Sequence, residues 1–194
     1  MSILQLALTS LSSFPLLATA FLGYQLLRNG QGAMGTPSIN SWLFYPAKFT
    51  AGFLLFILLP ASFSSSFFSY FPWLIQNEIP EVQQLLALIF LLAGNLLLIP
   101  AYYTMSIFTR VGLPTKDHAL QTSGIYRISR NPMYTSFFFF FTACFLLVPS
   151  IGVAVFSLFS LFAHHLIILS EEKYMASSFT SDYQQYYKQT ARYL

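Results

Sequence analysis

From Asn131 to Ser170 the chain runs for forty residues without one Asp, Glu, Lys or Arg. A helix crossing a hydrocarbon core of roughly 30 Å needs about twenty such residues, so the stretch is long enough for two spans. Val148-Pro149-Ser150-Ile151-Gly152 lies at its middle and supplies the turn chemistry for a tight helical hairpin. Three more charge-free stretches precede it. Residues 1–27 end at Arg28, the first charged side chain, and predict a span over about 3–27; without a basic n-region or a small-residue cleavage signal they do not read as a secretory peptide. Phe49 to Asn77 predicts a second span, interrupted by Pro60 and closed near Pro72, and Val82 to Thr109 a third, carrying Gly94-Asn95 and Pro100. Kinks are expected at these prolines. Five transmembrane helices result.

Composition leads to the same class. Charged residues make up 8% of the chain and hydrophobic ones 56%, with a mean hydropathy of +0.61, whereas a soluble domain carries about 25% charged residues. The chain is therefore expected to be an all-α integral membrane protein, and most soluble enzyme folds are excluded. An odd number of spans places 28–48, 110–130 and 171–194 on one side of the membrane, and these segments hold all nine basic residues. The opposite side holds Glu78 and Glu81. The positive-inside rule then puts the amino terminus outside and the carboxyl terminus in the cytoplasm. The net charge of +3 and pI near 9.0 follow from these topology signals, and no nucleic-acid partner is expected. Cys144 is the single cysteine, which excludes an intramolecular disulfide and a cysteine metal cluster. The chain divides into three amino-terminal spans, 1–109, and a unit of loop, helical hairpin and terminal helix, 110–194.

Polar side chains concentrate in two cytoplasmic segments, 110–134 and 171–193. Asn131-Pro132 has the chemistry of a helix start: a capping oxygen, then a ring whose fixed φ suits the first helical position. The free backbone donors there, beside Arg130, suit an anionic group, and an ordinary capped span with an arginine at the lipid headgroups has the same residues. Glu171 and Glu172 follow the fifth span, at the negative end of its dipole, and call for compensating positive charge. Tyr183, Tyr186 and Tyr187 fall on one face of a short amphipathic terminal helix begun by Thr180, Ser181 or Asp182. That face suits a nucleoside or a lipid interface. Within the spans, Asn95 suits a helix-to-helix hydrogen bond, and His164 and His165 are candidates for lining a substrate path. No metal site is expected, since no further ligands share their depth.

The ordered string Leu120-Gln-Thr-Ser-Gly124-Ile-Tyr126, Arg130-Asn131-Pro132-Met-Tyr134, a hydrophobic hairpin, Glu171-Glu172, Phe179, Tyr183, Tyr186 and Arg192 resembles isoprenylcysteine carboxyl methyltransferases and their phospholipid methyltransferase relatives. The resemblance covers roughly 115–193. Two positions depart from it: the usual Arg-His-Pro is Arg-Asn-Pro here, and the Gly usual before the terminal tyrosines is Thr180. It implies an integral membrane enzyme that binds S-adenosylmethionine, releasing S-adenosylhomocysteine, in a pocket made by the last two spans, the preceding loop and the terminal helix. By residue, it implies a cofactor site at His118, Gly124, Tyr126, Asn131, Pro132, Tyr134, Glu172, Tyr183 and Tyr186, and a catalytic pair, Arg130 and Glu171, nearest the reacting groups.

The implied function is methylation of a lipid-borne acceptor, foremost the carboxylate of a prenylated cysteine, with the donor entering from the cytoplasm and the acceptor from the bilayer. An already ionised carboxylate needs no general base. The alternatives are N-methylation of a phospholipid amine, which needs a proton acceptor, an NADPH-dependent membrane reductase, and a non-enzymatic carrier.

Overall fold

The computed structural model describes residues 2–30, 35–63, 79–105, 112–113 and 119–194. Among these, five α-helices form the fold: α1 (Ile3–Arg28), α2 (Ser41–Phe63), α3 (Glu81–Met105), α4 (Pro132–Leu147) and α5 (Ile151–Gln189). Among the described residues a 3-10 turn, Gly124–Arg127, precedes α4. Helices α1, α2, α3 and α5 are long and apolar enough to cross a membrane, whereas α4 has 16 residues, about 24 Å of helix.

The start of α2 differs from the sequence expectation. Asn40 takes up the first free donors, its carbonyl accepting from Leu43 and Phe44 and its Oδ1 from the Trp42 amide at 2.9 Å. The helix thus begins at Ser41 and contains Lys48, which the charge-free criterion had placed outside the span. A single cation fits there because its apolar stem lies along the helix while its head reaches a polar partner. Pro72 and residues 64–77 of the expected second span, and 106–109 of the third, lie outside the described residues. Pro60 and Pro100 sit inside uninterrupted helices.

The hairpin turn falls where expected. Ser150 caps α5, its hydroxyl accepting from the Val153 amide at 3.2 Å. From there the first helical segment of α5, 151–179, runs about 43 Å, longer than a crossing needs. Charges begin at Glu171, so the second half of α5 carries the chain beyond the apolar layer. A kink at Thr180 (φ 34°, ψ −104°) divides α5 into two helical segments, 151–179 and 181–189, with no loop between them.

The most extensive helix contact joins α3 to α4. Gly94 permits it, because a Cβ there would stand 2.7 Å from Phe140 Cε1. Leu54, Leu58, Leu91, Leu98, Phe140 and Cys144 form the buried core around this contact. Asn95 ties α1 to α3: its Nδ2 donates to Leu91 O at 2.8 Å and to Leu11 O at 2.9 Å. Leu11 O is the carbonyl that Pro15, four residues on and lacking an amide hydrogen, leaves free. At the other end of the partner helix, Gln83 Nε2 donates to Leu146 O at 2.7 Å and closes the end of α4.

Two outcomes follow for thermal unfolding in detergent. Asn95→Leu lowers stability by about 1–2 kcal/mol, since it strands the Leu11 carbonyl; an unchanged Tm would contradict that bond. Thr180→Gly raises stability by about 1 kcal/mol, because a β-branched residue at positive φ is strained where glycine is not.

Candidate active site

The ends of the helices that carry charge meet on one side of the bundle, where α2 and α4 start, α3 ends and α5 leaves the apolar layer. Arg130 lies just before α4. Its Nε donates to Glu172 Oε1 at 3.1 Å, its Nη1 donates to Tyr187 O at 3.1 Å and to Thr190 O, and its guanidinium stacks 4.2 Å from the Tyr187 ring centre. Glu172 also accepts from Asn131 Nδ2 at 3.0 Å and, through Oε2, from Arg192 Nε at 3.0 Å and Nη2 at 2.9 Å. Burial pushes the Glu172 carboxyl upward, but the hydrogen bonds from Arg192, Arg130 and Asn131 outweigh it and hold the group below its ordinary 4.5. The backbone adds to this stitching: the Arg130 amide donates to Ala191 O at 2.9 Å and Ser129 Oγ to Arg192 O at 3.3 Å. The tail after α5 is thereby fastened across the start of α4.

Glu171, one residue earlier on α5, points about 100° away around the helix and meets different partners. Tyr134 donates its hydroxyl proton to Glu171 Oε1 at 2.9 Å, and Lys48 Nζ donates to the same hydroxyl at 3.3 Å. Burial raises the Glu171 carboxyl above its ordinary value; the Lys48 charge and the Tyr134 hydrogen bond oppose that rise. Among the described residues Glu171 Oε2 has no hydrogen-bond partner.

These groups enclose a cavity of about 110 Å³ whose lining includes Tyr126, Arg130, Tyr134, Glu171, Glu172, Met175, Tyr183 and Tyr186. The Tyr186 hydroxyl donates to Tyr126 O at 2.6 Å, which joins the 3-10 turn to α5. The hydroxyls of Tyr126 and Tyr183 are buried without a hydrogen-bond partner among the described residues. Burial also pushes the Tyr183 phenol up to about 12, with Glu172 adding to the rise and Arg130 opposing it. A polar basin of about 700 Å³ lies alongside and shares Leu120 and Tyr186 with the inner cavity. On the far side of Tyr134 is an apolar cavity of about 400 Å³ between α4 and α5. His164 and His165 both line it; His164 holds its Nδ1 2.7 Å from Ser160 O and its Nε2 has no hydrogen-bond partner among the described residues, while His165 Nδ1 lies 2.5 Å from the Tyr193 hydroxyl.

Of the residues singled out in the sequence, Arg130, Glu171, Tyr126, Asn131, Pro132, Tyr134, Glu172, Tyr183 and Tyr186 line the one inner cavity. Gly124 does not. It sits at φ +60° with a virtual Cβ 2.9 Å from Thr104 Oγ1, so its part is to turn the chain into the 3-10 helix that sets Tyr126. His118 lies outside the described residues. Pro132 opens α4 as expected, but the Asn131 side chain makes no cap bond. Its Nδ2 instead donates to the Glu172 carboxylate and to Arg192 O, and this charge-assisted contact sets the orientation of the side chain. The acid that fixes Arg130 is Glu172, not Glu171. Sequence reasoning missed Lys48 and Met175; Met175 stood one turn after Glu171 and was legible, whereas Lys48 lay in a segment taken for a loop.

The sequence profile of the phospholipid methyltransferase family matches residues 82–182, just over half of the 194-residue chain, a stretch that contains Arg130, Asn131, Tyr134, Glu171 and Glu172. The chain belongs to this family. No curated protein and no solved structure matches it. Family and helices together make this a membrane methyltransferase. Lys48, Tyr183, Tyr186 and Arg192 of this methyltransferase lie outside the matched stretch.

A carboxyl held below its ordinary value contributes stability above that value and loses it as the pH falls through the lowered one. The Tm of the wild type is therefore expected to fall below the ordinary carboxyl value of 4.5. Glu172→Gln should cost about 3 kcal/mol at pH 7 and flatten that acid-side fall; an equally steep fall in the variant would show that other acids govern it.

Proposed function

We propose that the chain transfers a methyl group from S-adenosylmethionine to an amine carried on a lipid headgroup, releasing S-adenosylhomocysteine, at the cytoplasmic end of the bundle. The observation that carries this is Glu171 Oε2, which has no hydrogen-bond partner among the described residues and belongs to the lining of the cavity that also holds the buried hydroxyls of Tyr126 and Tyr183. Buried polar groups of this kind call for partners, and a ligand with hydroxyls, an amine and a cationic centre provides them.

The donor, when bound, supplies a methyl activated by a positively charged sulfur. The residues of the cavity fit it: Tyr126, Tyr183 and Tyr186 offer aromatic faces to a purine and to a cation, and the Arg130 guanidinium, which lies beside the Tyr183 hydroxyl, brings a positive charge to the lining for a carboxylate. An inner cavity of about 110 Å³ holds only part of such a ligand, since pockets for molecules of that size run to about 300–1,000 Å³. The neighbouring basin supplies the remaining room.

The acceptor class follows from charge. An ammonium headgroup must lose a proton before its nitrogen can attack, and Glu171 Oε2 is placed to take it. A carboxylate acceptor would meet the like charge of Glu171, while Arg130, its natural partner, already serves Glu172. The second reading, methylation of a prenylated cysteine carboxylate, draws support from two arginines facing one acid in the Arg130–Glu172–Arg192 cluster. Both readings take a lipid, and the apolar cavity beside Tyr134, bordered by Phe138 at 51% exposure, suits an acyl or prenyl chain. The family match favours methyl transfer over NADPH-dependent reduction and over a non-enzymatic carrier. The cytoplasmic placement rests on eight basic residues falling on one side of a five-span topology, with the ninth, Lys48, inside α2 toward that side.

Purified protein in liposomes holding phosphatidylethanolamine and a farnesylated cysteine mimic, supplied with donor labelled on its methyl, tests this. The label should enter the lipid amine, and Glu171→Gln should slow that transfer by about 100-fold or more, as loss of a proton acceptor does. Label on the farnesylated cysteine alone would establish the second reading. Label on neither, from protein with intact helical content, would refute both.

A further inference from the structure

Lys48 belongs to α2, in the part of the chain that the family match does not reach. Its Nζ lies 4.7 Å from the centre of the Tyr134 ring and 5.3 Å from that of Phe44, and donates to the Tyr134 hydroxyl, which in turn donates to Glu171 Oε1. No direct ion pair joins Lys48 to Glu171 among the described residues. An ammonium has only protons to offer, so the Tyr134 oxygen must turn a lone pair to Lys48 and its own proton to Glu171. The direction of the whole chain, from α2 through α4 to α5, is thereby fixed. Glu171 Oε1 is spoken for and Oε2 is left for the cavity.

We propose that Lys48 is a positioning residue that, acting through the Tyr134 hydroxyl, keeps the Glu171 carboxylate ionised and aimed at the incoming acceptor. The inference rests on Glu171 being the group that meets the acceptor amine. The groups around Glu171 leave that task to Lys48. From the same cavity it faces Tyr126 of the 3-10 turn, Tyr183 and Tyr186 of α5, all neutral at physiological pH, and Arg130 and Glu172, which pair with each other; His164 of α5 packs on the Tyr134 ring at 5.5 Å between centres, with its Nδ1 turned to Ser160 O. Among the described residues Lys48 is the cation that remains. The interposed phenol has its own consequence. A direct Lys–Glu pair would occupy the carboxylate that a substrate ammonium has to reach, whereas a relayed contact stabilises the charge and leaves one oxygen open.

Infrared difference spectroscopy of the carboxyl band, assigned by its loss in Glu171→Gln, reads the protonation of Glu171 without any turnover. In Lys48→Met the protonated band should appear at a pH higher by about one unit or more than in the wild type, as expected on removing a nearby opposite charge. Tyr134→Phe, which keeps the lysine and removes the relay, should shift it the same way, and Lys48→Arg should restore at least half of the difference. The acid limb of the methyl-transfer profile should move with the band. Coincident titrations of Lys48→Met and wild type, or of Tyr134→Phe and wild type, would overturn the inference. A wild type that shows the band shifts but methylates no lipid amine would instead remove the proposed function, so the two failures are separable.

Discussion

Two adjacent carboxylates at the end of an apolar span have to be met by cations, because an unpaired charge at the edge of a low-dielectric layer is strongly disfavoured. Glu171 and Glu172 set that requirement, and the helix that carries them turns them to different sides. Glu172 draws Arg130, Asn131 and Arg192 together and so fastens the tail beyond α5 over the first turn of α4. Glu171 draws Lys48 from α2 through Tyr134. The bundle's charged end is organised around this division of labour: one acid builds the floor of the cavity, and its neighbour is left facing into it.

The geometry also gives the polar residues inside the spans their roles. Asn95 fills a carbonyl that a proline in another helix has left without a donor, which is a packing function. His164 is a different case, buried beside Tyr134 at an apolar cavity with one ring nitrogen that has no hydrogen-bond partner among the described residues. Tyr134 stands between that cavity and the charged one and lines both. A lipid chain on one side and a charged reacting group on the other would meet at this side chain.

Much of this was legible in the sequence, for physical reasons that can be named. Uninterrupted apolar length and the Val148–Ser150 turn set the hairpin, and the excess acid at Glu171-Glu172 announced that cations would come to it. The ordered string from Gly124 to Tyr186 picked out residues of which most do line one cavity. What was not legible depends on directions rather than residue types. Asn131 looked like a cap, but its side-chain amide donates to a carboxylate across the site. Which of two neighbouring acids takes Arg130 is decided by their angular separation on α5, which no residue count conveys. A lone charge marks a span boundary by default, which puts Lys48 at the end of a loop, and only the approach of Tyr134 in space reveals its partner. Thr180 was visible as a departure from a glycine position, and its positive φ shows that the backbone keeps the bend that glycine usually serves.

The central claim is that the cavity under the tail binds the methyl donor. Calorimetric titration of S-adenosylhomocysteine into the purified protein in detergent tests it most directly. Saturable binding of one molecule per chain, weakened when the Tyr126 or Tyr183 hydroxyl is removed by substitution with Phe, is the predicted result. A folded, monodisperse preparation that takes up no S-adenosylhomocysteine, or that binds it equally well without either hydroxyl, would contradict the account.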